Sequence, residues 1–293
     1  MAGRRRKKSG GRSYAWRYRG RIVACVFVEV IIICALVIMI GWNKGVKEWF
    51  EQFEQPVLKE VDISGINSPN AILMQARGGK ILGEINGEAQ IYPASMTKIM
   101  TVILGIENFD DLDEKITLTN EMFTGLYEQD ATQAGFQPGE EVRVIDLLYG
   151  AMLPSGAECC IALADTISGS EADFAELMNK KARKLGMENT NFCDSTGLHN
   201  PDHYSTVKDI AVLMKYCIKN DTFREIVETS RHSTGVTNIH PDGITYYSTM
   251  FKNLSDPTVT GGKILGGKTA LTIMQNGALC ARHMNSTPFV RQV

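Results

Sequence analysis

The chain has 293 residues, enough for one large domain or two small ones, and its 44% apolar content is typical of a packed core. The formal net charge of −2 hides an asymmetry, because nine of the 31 Lys and Arg residues lie within residues 1–21 and all 33 acidic residues follow them. A basic tail taken alone would suggest nucleic acid, but its position directly before an apolar segment argues against that reading.

An apolar segment, residues 22–40, follows the basic tail at once and contains one charge, Glu29. Its length fits a membrane-spanning helix better than the shorter core of a cleaved signal. Because the positive flank is N-terminal, we expect the tail to stay in the cytoplasm and the rest to be exported. Glu29 favours the alternative, a buried soluble helix. We predict four parts: a basic cytoplasmic tail (1–21), a single transmembrane signal-anchor in the cell membrane (22–41), a stalk (42–66) and an extracytoplasmic domain (67–293).

The exported domain begins with a predicted β-hairpin, in which residues 71–74 and 81–85 flank a glycine turn. A helix should follow directly behind Pro93. The remaining predicted elements are a short strand at 115–119, helices at 142–153 and 157–167, a helix capped by Ser170 and closed by Gly186, a helix capped by Thr206, and a strand at 263–272. A hairpin, then helices, then a late strand predicts an α+β domain.

Ser95 and Lys98 lie three residues apart in the predicted first turn of the helix behind Pro93, so their side chains share one face. Orphan N–H groups and the helix dipole disfavour a cation there, which eases deprotonation of the amine. This is what a serine nucleophile with a lysine base requires. Ser-x-x-Lys alone is a weak signal, and a capped helix with a surface lysine is the alternative.

Two more such pieces follow in order, Ser155-Gly156-Ala157 and Lys268-Thr269-Ala270. Together with Ser95-Met96-Thr97-Lys98 they resemble the serine D-alanyl-D-alanine carboxypeptidases, the low-molecular-mass penicillin-binding proteins, whose motifs are Ser-x-x-Lys, Ser-x-Asn and Lys-Thr-Gly. Residues 91–100, 146–156, 194–204 and 266–269 also read like that family. The resemblance covers about residues 67–272 and implies a β-lactamase/transpeptidase-like domain, a helical cluster with an antiparallel sheet.

The resemblance also implies catalytic roles. Ser95 would attack the carbonyl between the two terminal D-alanines of a peptidoglycan stem peptide, and Lys98 would accept the serine proton. Ser155 would relay a proton to the leaving D-alanine. The acyl-enzyme is the species that β-lactams trap, so the implied activity is a serine-type D-Ala-D-Ala carboxypeptidase of cell-wall biogenesis.

Substrate binding is implied for the third motif. Lys268 and Thr269 would hold the terminal carboxylate, and the backbone N–H groups of Ser95 and Leu271 would form the oxyanion hole. The implied partners are peptidoglycan stem peptides and β-lactams, with the membrane contacted through residues 22–41. For the exported domain we expect no cofactor, metal, nucleotide or nucleic-acid partner.

The sequence departs from the family pattern in three places. Ala157 stands where the pattern has asparagine, and Glu158 could replace that amide only if the loop turned. Ala270 stands where the pattern has glycine, on the same strand face as Lys268. After Thr272 the strand alternation is lost and the tail is too short for the family's two further strands and closing helix. We therefore expect a chain shortened at its C-terminus, with an incomplete sheet and no homology over its last residues.

Three alternatives remain open at this point. A class A β-lactamase would use Glu176 as an added base, although this glutamate lies within a regular amphipathic helix. A zinc carboxypeptidase would use His199, Asp202 and His203, although Pro201 breaks any helix that could align them. A catalytically impaired, membrane-anchored relative would bind penicillin or wall peptide without useful turnover.

Overall fold

The computed structural model describes Val30 and residues 59–254, 256–259, 262–272, 275–283 and 288–290. The chain divides into two compact units, Met1–Leu58 and Lys59–Val293. The predicted tail, the predicted membrane anchor except Val30, and the predicted stalk up to residue 58 lie outside the described residues. Within the described part of the chain, no helix has both the length and the apolar character to cross a bilayer.

The second unit begins with the predicted hairpin. Strand β1 (Ala71–Met74) is buried throughout and pairs antiparallel with β2 (Ile81–Ile85). Gly78 and Gly79 have φ values of +85° and +80°, a conformation that glycine adopts without steric cost. The N–H of Val61 donates to the carbonyl of Leu82 at 2.6 Å, so the end of the predicted stalk lies against β2.

The helix behind Pro93 forms the centre of the core. A single 3₁₀ turn, Ala94–Thr97, carries Ser95, and helix α1 begins at Lys98 and ends at Asn108. Lys98 and the seven residues after it are all buried, because helices cover α1 on several sides. A helix that is apolar all round can only be stable inside the domain.

Five further helices of the described chain contact α1. They are α2 (Val144–Met152), α3 (Ala157–Ser168), α4 (Glu171–Leu185), α5 (Val207–Cys217) and α6 (Asp221–Glu228). The two predicted caps are confirmed, since Ser170 accepts from the N–H of Asp173 and Thr206 from that of Asp209. The helix predicted to start at residue 142 starts at Val144.

That later start has a tertiary cause. Strand β4 (Glu141–Arg143) precedes α2 and pairs antiparallel with β3 (Lys115–Thr117). A second small hairpin, β5 (Arg231–Ser233) with β6 (Thr245–Tyr247), follows α6 and leads into a short helix, Thr249–Lys252. Pairing with a distant segment supplies the hydrogen bonds that the local pattern alone assigned to the helix.

The late strands form a four-stranded antiparallel sheet in the order β10-β9-β8-β7. Its strands are β7 (Thr258–Val259), β8 (Gly262–Thr272), β9 (Gln275–His283) and β10 (Pro288–Val290). The strand predicted at 263–272 is therefore confirmed. The prediction that the tail is too short for two further strands, leaving the sheet without its bridging strand, is wrong: β9 and β10 follow Thr272, and β10 also lies beside β1. The described residues after Thr272 include no closing helix. A strand between two neighbours is held by backbone hydrogen bonds, which do not require alternating polarity.

Candidate functional site

Ser95 and Lys98 meet as predicted. Nζ of Lys98 lies 3.3 Å from Oγ of Ser95, and the 3₁₀ turn that holds Ser95 enters through Ala94 at a positive φ of +48°. Lys98 is only 4% exposed, and its burial lowers the pKa of its amine. A buried lysine that loses its proton more easily is suited to accept one from a neighbouring hydroxyl.

A backbone carbonyl completes the surroundings of Lys98. Nζ donates to the carbonyl oxygen of Thr196 at 2.6 Å, and the hydroxyl of Thr101, one turn along α1, donates to the carbonyl of Ser195 at 2.5 Å. Sequence reasoning missed this contact, because every residue has a carbonyl and the sequence carries no sign of which one is used. The resemblance to the family includes residues 194–204 but implies no role for them.

Ser155 reaches the same point from another part of the fold. Its hydroxyl donates to Oγ of Ser95 at 2.9 Å. Ser155 lies between the end of α2 and the start of α3 and has a φ of +74°, which is rare for a residue with a side chain. Such a conformation costs of the order of 1–3 kcal/mol and persists only where packing imposes it. The first and second motifs therefore form one hydroxyl–amine cluster.

Lys268 on β8 supplies the third motif. Strand β8 lies against the Ala94–Thr97 turn, and Lys268 is 1% exposed with Nζ donating to the carbonyl of Thr269 at 3.0 Å. Burial, helped by the positive charge of Lys98, lowers the pKa of Lys268 to about 7. The hydroxyls of Thr269 and Thr249 lie 2.6 Å apart, a partner that sequence reasoning missed because Thr249 belongs to no recognisable motif.

Leu271 lies next to this motif, where the register between β8 and β9 shifts between Ala270 and Thr272. Ala270 itself is buried and packs in the main hydrophobic core. These positions place the predicted substrate-binding strand beside the nucleophile.

The structure also shows the surroundings of Ala157, which stands where the second motif has asparagine. Ala157 is the first residue of α3 and is buried. The side chain of Glu158 is turned to another loop, where Oε1 accepts from the N–H groups of Ala134 at 2.6 Å and Gly135 at 2.9 Å. Glu158 therefore fastens the 134–135 segment to the start of α3, and it does not take the position of the missing amide.

The positions of Glu176 and His203 argue against two of the alternatives, the class A β-lactamase and the zinc carboxypeptidase. Glu176 is exposed on the outer side of α4, as expected of an ordinary helix face. The zinc candidate His203 instead places its two ring nitrogens near the hydroxyl of Thr97, at 2.9 Å, and the carboxylate of Asp194, at 3.2 Å.

The chain is similar in sequence to curated D-alanyl-D-alanine carboxypeptidases. D-alanyl-D-alanine carboxypeptidase DacF of Bacillus subtilis is 38% identical over 164 residues, which cover 55% of this chain and 41% of the relative. D-alanyl-D-alanine carboxypeptidase DacC of Escherichia coli is 35% identical over 209 residues, which cover 63% of this chain and 51% of the relative. The chain thus spans about half the length of the curated relatives it matches.

Solved structures show the same fold. The Streptomyces K15 DD-transpeptidase superposes with a TM-score of 0.69 at 25% identity, covering 80% of this chain and 93% of that one. Penicillin binding protein 5 from Haemophilus influenzae gives 0.68 at 25% identity, covering 80% of this chain and 67% of that one. The model of peptidase family S11, described as D-alanyl-D-alanine carboxypeptidase, matches residues 57–288. This match includes β9 and the first residue of β10, so the expectation that the last residues are not homologous is wrong up to residue 288. The chain therefore belongs to the D-alanyl-D-alanine carboxypeptidase family.

Proposed function

We propose that this chain is a serine D-Ala-D-Ala carboxypeptidase that removes the terminal D-alanine from peptidoglycan stem peptides during cell-wall biogenesis. One observation carries the proposal: Oγ of Ser95 lies 3.3 Å from a buried lysine amine and 2.9 Å from a second hydroxyl. A surface lysine behind a helix cap would show neither the burial nor the second hydroxyl. The names of the relatives support the same reaction class.

Acylation begins with Lys98. The neutral amine takes the proton of Ser95, and Oγ attacks the carbonyl carbon of the bond between the two D-alanines. The N–H groups of Ser95 and Leu271 face the developing oxyanion, an arrangement that contributes about 3 kcal/mol per donor to lowering the barrier. Ser155 passes a proton to the nitrogen of the leaving D-alanine as the C–N bond breaks and recovers it from protonated Lys98, which returns to the neutral amine.

Specificity for a free C-terminus follows from the third motif. A terminal carboxylate needs a fixed cation at one end of the cleft, and Lys268 is the buried cation on the strand beside Ser95. Thr269 adds a hydroxyl held by Thr249. Binding the carboxylate also favours the protonated form of Lys268, so the substrate itself supplies the charge that keeps this lysine ionised.

The acyl-enzyme on Ser95 is resolved by water in the proposed reaction. Neutral Lys98 takes a proton from that water as the water oxygen attacks the ester, and it returns this proton to Oγ of Ser95 as the ester bond breaks. A β-lactam acylates the same oxygen, and its ring-opened product stays attached in the site. Stem peptide and β-lactam are therefore competing partners for one serine.

The proposed activity is tested in two steps on the full-length protein. Fluorescent penicillin should label the wild type and should not label Ser95→Ala, whose fold is checked by circular dichroism. A synthetic pentapeptide ending in D-Ala-D-Ala should then release D-alanine. Labelling without release would indicate a penicillin-binding relative that does not turn over, and no labelling of a folded wild type would overturn the proposal.

We also propose that residues 1–21 are cytoplasmic, that residues 22–41 anchor the chain in the cell membrane and that residues 42–66 lift the domain (67–293) to the outer side. The apolar stretch behind a basic flank supports this topology. Protease added to intact spheroplasts should digest the domain and spare the tail. A domain protected from protease until lysis would contradict the proposal.

A further inference from the structure

The carbonyl that accepts from Lys98 belongs to a tight turn, residues 194–197. Oδ1 of Asp194 accepts three hydrogen bonds within this turn: from the N–H of Thr196 at 2.7 Å, from its hydroxyl at 2.8 Å, and from the N–H of Gly197 at 2.6 Å. Three bonds to one carboxylate oxygen fix the direction of the Thr196 carbonyl. The turn is therefore a rigid holder for the Lys98 amine.

The 194–197 turn packs closely against the Ala94–Thr97 turn, which carries the nucleophile. Gly197 has a φ of +81°, and a Cβ atom at this position would lie 1.9 Å from the carbonyl oxygen of Ala94. The same Cβ would lie 2.9 Å from the hydroxyl of Thr97. Backbone of the holder thus touches backbone of the Ala94–Thr97 turn, and a small displacement of one would move Lys98 relative to Ser95.

His203 joins the two turns a second time. Nε2 lies 2.9 Å from the hydroxyl of Thr97, and Nδ1 lies 3.2 Å from Oδ2 of Asp194. The backbone N–H of Cys193 also points at this Nδ1, at 3.3 Å. A carboxylate can only accept, so we assign the ring proton to Nδ1 for the Asp194 contact, which leaves Nε2 to accept from Thr97. His203 is 2% exposed and packs edge-on against Phe192, which holds the ring in place.

The charge of Asp194 reaches Lys98. Burial opposes ionisation of this carboxyl, but the hydrogen bonds from His203, Thr196 and Gly197 outweigh that effect and lower the pKa of Asp194. The resulting anion raises the pKa of Lys98 against the larger, lowering effect of burial. The other titratable groups whose charge raises the pKa of Lys98 are Cys159, Cys160 and Glu158. Lys98 and Cys160 in turn act on the pKa of Lys268, which Lys98 lowers and Cys160 raises.

We propose that His203 is a positioning residue for Lys98: with Asp194 it clamps the 194–197 turn onto the Ser95 turn and so sets the place of the lysine that activates Ser95. The inference rests on the proposed function, since it concerns the acylation of Ser95. His203 touches neither Ser95 nor Lys98, and it acts through Thr97 on one side and through Asp194 and the Thr196 carbonyl on the other.

The test is the pH profile of the second-order rate of Ser95 labelling by fluorescent penicillin, normalised to the fraction of sites that label at saturation. Asp194→Asn keeps the shape of the turn and removes the negative charge, so the rising limb of the profile should move to lower pH. His203→Gln and Thr97→Val should each lower the rate about tenfold, the equivalent of about 1.4 kcal/mol for a lost buried hydrogen bond. His199→Gln is the matched control, because this histidine lies four residues away on the same loop and its ring packs at a tilt against that of Tyr92.

A shifted limb in Asp194→Asn, with an unchanged profile in His199→Gln, supports the inference, because a merely structural role would lower the fraction of labelled sites without moving the limb. Profiles of folded Asp194→Asn and Thr97→Val that match the wild type would overturn it while leaving the proposed function intact. Should Asp194→Asn fail to fold, Thr97→Val tests the other end of the clamp. A folded wild type that is not labelled would overturn the proposed function and the inference with it.

Discussion

The hydroxyl of Ser155 donates a hydrogen bond of 2.9 Å to Oγ of Ser95, although 60 positions separate the two residues in the chain. Ser155 holds this place at a φ of +74°, so the backbone is strained where the two hydroxyls meet. The contact turns two serines on separate elements into a single proton path. It also makes Ser155 a position where stability and chemistry can be separated by substitution.

Ser155→Ala should slow acylation of Ser95 by about 10²–10⁴-fold, the range for loss of a positioned proton-transfer group. Ser155→Gly should be equally slow but more stable than the alanine variant by about 1 kcal/mol, since glycine adopts a positive φ without the Cβ clash. Labelling rates and thermal unfolding of both variants check this pair. A glycine variant no more stable than the alanine variant would contradict the strain at this residue.

Lys268 should make carboxylate binding depend on pH near neutrality. Burial and the charge of Lys98 lower the pKa of Lys268 to about 7. The protonated form binds the carboxylate, so affinity is fully present below pH 7 and falls as pH rises above it, by up to about tenfold per pH unit. Titration of Ser95→Ala with a peptide ending in D-Ala-D-Ala should show this fall between pH 7 and 9. The same peptide with an amidated C-terminus should show no such dependence, and equal profiles for the two peptides would argue against Lys268 as the carboxylate partner.

Gly197→Ala should disrupt the site, because its Cβ would lie 1.9 Å from the carbonyl oxygen of Ala94. We expect a loss of about 3 kcal/mol or more in the free energy of unfolding, from overpacking and the unfavourable φ together. Penicillin labelling should fall with it. Gly186→Ala is the matched control, with a similar φ of +79° and nothing within 4 Å, and should cost only about 1 kcal/mol with labelling retained. Similar losses in the two variants would show that φ alone matters.

Asp146 should support the fold at neutral pH and lose that role in acid. Burial opposes its ionisation, but hydrogen bonds from His232 and Arg143 outweigh this and lower the pKa of Asp146. Its contribution is therefore present above the unfolded-state pKa of about 3.9 and disappears as pH falls through the lower folded-state value. Asp146→Asn should cost about 2 kcal/mol at pH 7, and the difference from wild type should narrow below pH 4.

The control for that experiment is Asp113→Asn. Asp113 pairs with the same Arg143 at 3.0 Å, but its side chain is 74% exposed. A solvent-exposed pair of this kind contributes only about 0–1 kcal/mol, so its removal should change the unfolding curve little at any pH. Chemical denaturation at several pH values measures both variants, and equal losses at pH 7 would rule out burial as the source of the effect.

Local features of the fold could be predicted from the sequence because they depend on a few neighbouring residues. The glycines of the first hairpin, the caps at Ser170 and Thr206 and the strand that carries Lys268 were all placed correctly. Strand β4 was not predicted, and β9 forms in a tail expected to be too short for two further strands, because each depends on backbone pairing with another segment rather than on its own pattern.

At the site, the amino-acid sequence is enough to identify the available side chains: Ser95 and Lys98 on one turn, Ser155 between two helices, and Lys268 on a late strand. Packing of the fold brings the two serines to 2.9 Å, aims the Thr196 carbonyl at Lys98, and lets His203 join the turn of that carbonyl to the nucleophile's turn. The reason is physical. Residue identity and spacing set local conformation, whereas distances between remote segments, and the desolvation that lowers the pKa values of Lys98 and Lys268, arise only when the segments pack together.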